Sequence, residues 1–555
     1  MVHLEAKETV PIDLEENCNL ENQNQKLKKK NKKRSNVASL SPISPFYEQA
    51  LSSFPIKLNN TKAKGRHAVA VKDLEEGTTV CQEQAVAFVV RSDYLDQHCH
   101  VCLSDLSEKM MCSECKNVFY CSNECLEKDN EMHLLVCQVF NQINTIGRAT
   151  DVDPDLLRLM VLLMARKYLD EKEEERDSLK RSTPYWCVED LISHKESAEA
   201  SFIQVLTQAS ERLLFEMPEK LHFSVEDMVT LACRINSNAH GLGDNYSRNT
   251  DVALGLFPLG ALFFNHSCNP NTTFIGVRNG QLAFRTLRPV KKDEELVVSY
   301  IDLYSDRDER RQDLLTSKHF WCKCKRCSSP MERSVDRFLQ GVNCMECEKD
   351  VYMIPPTPIE HLSKGRRNLY MDTTTNFQCS LCNHKVKKDI VCKPIEKANK
   401  EYMLAMAAIR QERNYRKGGE KLSQLVKTDS KKAGNLHMLN SYKFNSLIPL
   451  MNCQRYNGDL KGAIETNKTI LYMMEQYSEQ GSLPANTSEI SDFWQNLGEL
   501  SMKVMNELKG RSSVLEKKWR NEAKDAFSKA LAVRRVVFGK DHPKSQHIEY
   551  CISML

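Results

Sequence analysis

Residues 263–271, Phe-Phe-Asn-His-Ser-Cys-Asn-Pro-Asn (FFNHSCNPN), decide how the chain is read. Neither a helical period nor a strand period accounts for the order of side chains. Asn and Asn-Pro favour turns, so this is a tight loop following the apolar segment LGLFPLGALFF. A polar turn whose asparagines bond their own backbone is one explanation. A loop built to hold a ligand is the other, and the rest of the chain has to decide between them.

At 555 residues the chain exceeds one ordinary domain and has room for about three or four. Its 41% hydrophobic and 27% charged residues give a globular composition. The net charge of +4 produces no global field demanding nucleic acid or membrane. The start, MVHLEAKETVPIDLEEN, is acidic and lacks an apolar core, so no secretory signal is expected. The longest apolar run, LLRLMVLLMARKYL, carries Arg158, is too short to span a bilayer and reads as a buried helix. The 22 cysteines need a reason. Without a secretion signal, close cysteine pairs point to zinc rather than disulfides, and the expected location is nucleus and cytoplasm.

Composition and periodicity divide the chain. Residues 1–48 read as a disordered basic arm, with the run KLKKKNKKR at 26–34 suited to nuclear targeting or nucleic-acid contact. Strand-like runs (AVAV, TTVCQ, AVAFVV) fill 55–98, a Cys/His module fills 99–137, and helical spacing covers 140–230. Strands return in 231–305, where Asn279-Gly280 signals a hairpin between TTFIGV and LAFRTL. Cysteines recur in 306–330 and 340–395. From 396 to 555 the pattern is helical, with turns such as NGD and GKDHP suggesting a tetratricopeptide-like array. Strand sequence therefore brackets the Cys/His module and a helical insert.

The ligand spacings are specific. Cys99-x2-Cys102, Cys112-x2-Cys115, Cys121-x3-Cys125 and His133-x3-Cys137 supply eight ligands, enough for two tetrahedral zinc sites. Spacing alone does not fix their pairing. Cys322, Cys324 and Cys327 are three thiolates lacking a fourth; His319 is near, and the distant Cys268 of the opening loop is another candidate. Cys344-x2-Cys347 with Cys379-x2-Cys382 reads as a zinc ribbon. All four sites are closed by protein ligands and are therefore structural rather than hydrolytic.

The order KGRHAVAVKDLEEG, Cys/His module, helical insert, NHSCNPN, EELVVSYIDL and CxCxxC resembles the SMYD family, SET-domain proteins split by a MYND zinc finger. The resemblance covers about residues 55 to 330, and the added ribbon is similar to divergent SmydA-type members. It implies an α+β fold: a β-stranded SET core split by a MYND finger and a helical insert, with a post-SET zinc site, a zinc ribbon and a TPR-like helical C-terminal domain. It implies interleaved finger sites, Cys99, Cys102, Cys121 and Cys125 in one and Cys112, Cys115, His133 and Cys137 in the other. Cys268 would complete the site of Cys322, Cys324 and Cys327. The implied cofactor is S-adenosylmethionine, contacted by Lys64, Gly65, Arg66, Asn238, Asn265, His266, Tyr300 and Phe320, with Tyr300 as catalytic residue. The implied activity is protein-lysine N-methylation, on a histone or non-histone protein with a flexible lysine-containing segment.

That chemistry fits the residues. A lysine amine, with a reference pKa of about 10.4, must be neutral to displace a methyl group from a sulfonium, and an apolar channel disfavours its charged form. One departure stands out. Family members generally carry a second tyrosine four residues before the first cysteine of CxCxxC, where this chain has Lys318. That lysine either opposes an incoming ammonium or points into solvent. The alternative function is a catalytically weak adaptor, recruiting proline-containing peptides at the MYND finger and other partners through the helical tail. Nucleic-acid binding by the basic arm is a third expectation; no membrane role is expected.

Overall fold

Strands far apart in sequence pair across the insertion. Thr79–Gln84 lies antiparallel to Gln281–Thr286, which pairs with Thr272–Val277. Ala87–Val90 lies antiparallel to Asp251–Leu256, with His240–Gly243 on the other edge. The chain thus leaves these sheets after Val90 and re-enters them at His240. This is a computed structural model, which describes residues 42–174, 183–243, 251–363, 375–427, 434–479 and 483–555. The basic run at 26–34 falls outside the described residues, but the expected disordered arm does not extend to residue 48: Pro45–Ala50 is a helix whose Tyr47 is buried against Phe263 and donates to Asp190 at 2.6 Å.

Two short pairings finish the strand region. Ile56–Thr61 forms a hairpin with Gly65–Ala70, and Asn265–His266 runs parallel to Val297–Val298. The expected hairpin at 278–280 is present, with Asn279 and Gly280 both at positive φ (65° and 67°), where these residue types are tolerated.

The insertion is mostly helical. Asn123–Thr150 begins in the Cys/His module, where the Ser122 side chain accepts from the Cys125 N–H, and runs on beyond it. In Pro154–Glu174, Leu157, Leu159, Met160, Val161, Leu163, Met164 and Ala165 are each at most 1% exposed. A helix apolar on every face belongs inside a core. Its buried Arg158 pairs with Asp155, whose carboxylate also accepts from the Ser92 hydroxyl at 2.7 Å, so the charge is compensated. Ala200–Glu216 and Val225–Asn238 complete the insert.

The C-terminal part is a succession of helices, Lys388–Arg410, Tyr415–Lys427, Ser441–Tyr456, Leu460–Glu479, Ser488–Leu508, Ser513–Val537 and Pro543–Ser553, each packed on its neighbour in sequence. That is the stacking logic of a helical repeat. At Gly498 an added Cβ would stand 2.6 Å from the Phe527 ring, so only glycine lets those two helices approach. The tail also docks on the strand region. Tyr304 stacks on Phe444 at 4.9 Å, and Arg285 donates to the Val536 carbonyl at 3.1 Å. Among the described residues no helix is long and apolar enough to cross a membrane.

Candidate functional site

Fifteen of the cysteines and His133 come together in four sets: Cys99, Cys102, Cys121 and Cys125; Cys112, Cys115, His133 and Cys137; Cys268, Cys322, Cys324 and Cys327; Cys344, Cys347, Cys379 and Cys382. A tetrahedral zinc with Zn–S of about 2.3 Å places its sulfurs about 3.8 Å apart. The separations fit: Cys121–Cys125 3.7 Å, Cys112–Cys137 3.7 Å, Cys268–Cys322 3.9 Å, Cys347–Cys379 3.7 Å. They are far longer than a disulfide bond. The interleaved finger pairing is the one found, and Cys268, not His319, closes the third set.

That third set sits on a buried charge cluster the sequence did not reveal. Asp336, fully buried, receives Arg307 at 3.0 Å, Arg310 at 2.9 Å and Arg326 at 2.9 Å. These guanidiniums hold its carboxyl well below the usual range against the opposing effect of burial. Arg310 also lies 3.7 Å from the Cys327 sulfur, and Arg326 donates to the Cys268 carbonyl at 3.2 Å.

The opening loop divides its work. Asn271 is structural: its amide donates to the Glu295 carbonyl at 2.8 Å and its oxygen accepts from the Val297 N–H at 2.9 Å. Asn265 and His266 join segments instead. The Asn265 amide donates to the carbonyls of Lys64 (3.1 Å) and Arg66 (3.3 Å). His266 Nδ1 accepts from the Tyr300 N–H at 3.1 Å, so the neutral ring carries its proton on Nε2, 3.3 Å from the Cys268 sulfur. Such a bond orients a metal ligand. The helix Pro258–Phe263 that delivers the loop is anchored by buried Glu83, which accepts from the Leu259 and Gly260 N–H groups at 3.0 Å each. Burial pushes Glu83 up to about 8.

Around this loop the other expected residues gather. Tyr300 and Phe320 lie 5.3 and 6.0 Å from the His266 ring. The Tyr300 hydroxyl donates to the Phe264 carbonyl at 2.8 Å, and burial raises its pKa, so it is a donor and not a base. Lys64 pairs with Glu295 at 2.6 Å, a partner that nothing in the sequence pattern announces. Gly65, at φ +68°, has no atom within 4 Å of where a Cβ would stand, leaving an open face beside Lys64. Arg66 donates to the Asp190 carbonyl at 2.7 Å. Asn238 ends its helix and donates to the carbonyls of Ile192 (2.9 Å) and Arg234 (2.8 Å), as a helix-terminal residue does. Lys318 does not point into solvent. Its ammonium donates to the Ser237 carbonyl at 2.7 Å and lies 5.8 Å from the Tyr300 ring centre.

A cavity of about 550 Å³ lies elsewhere, lined by Asn343, Lys349, His437, Lys443 and Met473. It belongs to the ribbon and tail and shares no residue with the site above.

Comparison with known proteins places these features. The SET-domain family model matches residues 65–301. A SET and MYND domain-containing protein of Dictyostelium discoideum is 25% identical over 340 residues, covering 53% of this chain and 64% of its own. The histone-lysine N-methyltransferase ASHR1 of Arabidopsis thaliana is 26% identical over 293 residues, covering 52% and 58%. The N-lysine methyltransferase SMYD2 of Homo sapiens is 23% identical over 490 residues, covering 88% and 95%. The chain thus spans less than two thirds of the first two and nearly all of the third.

Proposed function

The chain belongs to the SMYD family of SET- and MYND-domain proteins, and from that premise we propose that it is an S-adenosylmethionine-dependent protein-lysine N-methyltransferase. The observation that carries the reading is convergence. Lys64-Gly65-Arg66, Asn265-His266, Tyr300 and Phe320 come from separate segments and are held in one place by Asn265 and His266. Nothing in a merely structural loop calls for an open glycine, a lysine and two aromatic rings at one point.

The residues fit the cofactor. Lys64 supplies the cation for its carboxylate, Gly65 the open approach, Asn265 and His266 the polar wall, and Phe320 an apolar face for the adenine. When bound, S-adenosylmethionine supplies a methyl group activated by its sulfonium. Tyr300, held protonated and tied to the Phe264 carbonyl, lines the path of the acceptor amine and orders it. The four Cys/His sets would hold zinc as structural ions. The third fixes the loop by bonding Cys268, two residues from His266. The acceptor is a lysine on a flexible protein segment.

The test is calorimetric titration of the zinc-loaded chain with S-adenosylmethionine, with Asn265→Ala/His266→Ala as control. Saturable binding lost in the control is the expected result, and Tyr300→Phe then tests the chemistry. No binding by a folded, zinc-replete sample would sink the enzyme reading and leave the partner-binding adaptor.

A further inference from the structure

We propose that Lys318 is a fixed cation placed beside the acceptor amine, which makes the site select the amine in its neutral form. The inference rests on the methyltransferase reading and deepens it.

Lys318 closes the helix Arg307–Lys318, where the chain turns at His319 through a left-handed φ of 57°. Its ammonium reaches the Ser237 carbonyl, one residue from the end of the helix Val225–Asn238. Terminal carbonyls of a helix lack partners within it, and that end of the helix favours positive charge. The ammonium is therefore pinned, and pinned against the Tyr300 ring, whose face also favours a cation. Among the described residues no carboxylate pairs with it.

The other titratable groups nearby do not offset this charge. His240, on the strand following Val225–Asn238, is partly buried and is held down to about 4 by desolvation, with Lys318 adding to the effect. His194 is lowered by burial and by His319, whose ring lies 5.0 Å away. His266 has its Nδ1 engaged by the Tyr300 N–H. Lys64, the other cation, is matched by Glu295. Burial lowers the pKa of Lys318 itself, and the Ser237 carbonyl and the Tyr300 ring hold its ammonium against that effect, so what remains at Tyr300 is one positive charge with no carboxylate beside it.

A fixed like charge disfavours the protonated form of an amine, and a cationic neighbour is an established way to activate one. The acceptor's ammonium first gives its proton to water. Its lone pair then forms the N–C bond as the C–S bond breaks, sulfur keeps the bonding pair, and the methylated product is left as an ammonium. Lys318 touches no bond in this step. It acts by making the first deprotonation easier, so the residue the family's pattern treats as a defect assists the reaction here.

The test needs no known substrate. Sinefungin carries a primary amine in place of the S-methyl group, whereas S-adenosylhomocysteine carries nothing there. Their affinity ratio across pH isolates that amine from every other titration in the site. In the intact zinc-loaded chain, sinefungin should weaken relative to S-adenosylhomocysteine by about tenfold as pH falls through the amine's titration, the change expected when the bound amine's pKa is lowered by about one. Lys318→Gln keeps a donor for Ser237 without the charge and should abolish that loss. Lys318→Arg keeps the charge and should retain it. A ratio with the same pH dependence in Lys318→Gln, or sinefungin binding that tightens at low pH in the unaltered chain, would overturn the inference alone. Failure of both analogues to bind the unaltered chain would overturn the methyltransferase reading on which it rests.

Discussion

The post-SET and ribbon sites are both four-cysteine sets with sulfurs at zinc-like separations, yet they are embedded differently. In the first, Cys268, Cys322 and Cys327 are 0%, 2% and 1% exposed, and guanidiniums reach one sulfur and one ligand carbonyl. In the second, Cys382 is exposed, and the supporting group is the Tyr352 hydroxyl, which accepts from the Met345 N–H and bonds His384. The first set joins the loop that carries Asn265 and His266 to a segment some fifty residues on; the second joins two knuckles of a local module. The same ligands can therefore do different work, and what surrounds them decides which.

The sharpest test of this contrast is ligand removal. Cys268→Ser should cost on the order of 4 kcal/mol in urea unfolding, in the range of a lost metal site, and should abolish binding of S-adenosylhomocysteine. Cys382→Ser should leave that binding intact; equal loss from both would break the comparison. Next in size, Asp336→Ala leaves three guanidiniums buried without their carboxylate and should cost about 3–5 kcal/mol. Because the folded pKa of Asp336 is depressed, its contribution is complete above the unfolded value of about 3.9 and is lost only as pH falls through the folded one. Urea midpoints of the unaltered and Asp336→Ala chains should accordingly stay a constant distance apart between about pH 6 and 8. A chromogenic chelator should take zinc from the ribbon at least about tenfold faster than from the post-SET site, the exposed ligand being the point of entry; Cys382→Ser, which removes the fast phase, makes the assignment. The smallest effect is Tyr352→Phe, about 1 kcal/mol for a lost hydroxyl bond, hastening ribbon release without altering the slower phase.

What the sequence made legible follows the same division. Metal ligands are readable because three thiolates without a fourth demand one, and that deficit alone made the distant Cys268 a candidate. The insertion was readable because strand patterns stood on both sides of it. The helix RDERRQDLLTSK was not, since its charges resemble a solvated surface and only burial shows Arg307 and Arg310 to be interior. Glu295 and Glu83 escaped for a related reason: a lone carboxylate says nothing of the lysine or helix end it will meet. The direction of Lys318 was undecidable because both options depended on Ser237, 81 residues away in sequence.

Three guanidiniums converge on the one carboxylate of Asp336, and with Asp306, Asp308 and Arg311 buried along the helix of Arg307 and Arg310 and at its cap the interior here is net positive. A divalent ion on four thiolates carries a surplus of two negative charges. The two are opposite in sign and meet where Arg310 lies beside the Cys327 sulfur, so each offsets part of the charge the other buries. A divalent ion on these four thiolates would therefore help to hold the Asp336 cluster closed, and with it the loop that carries Asn265 and His266.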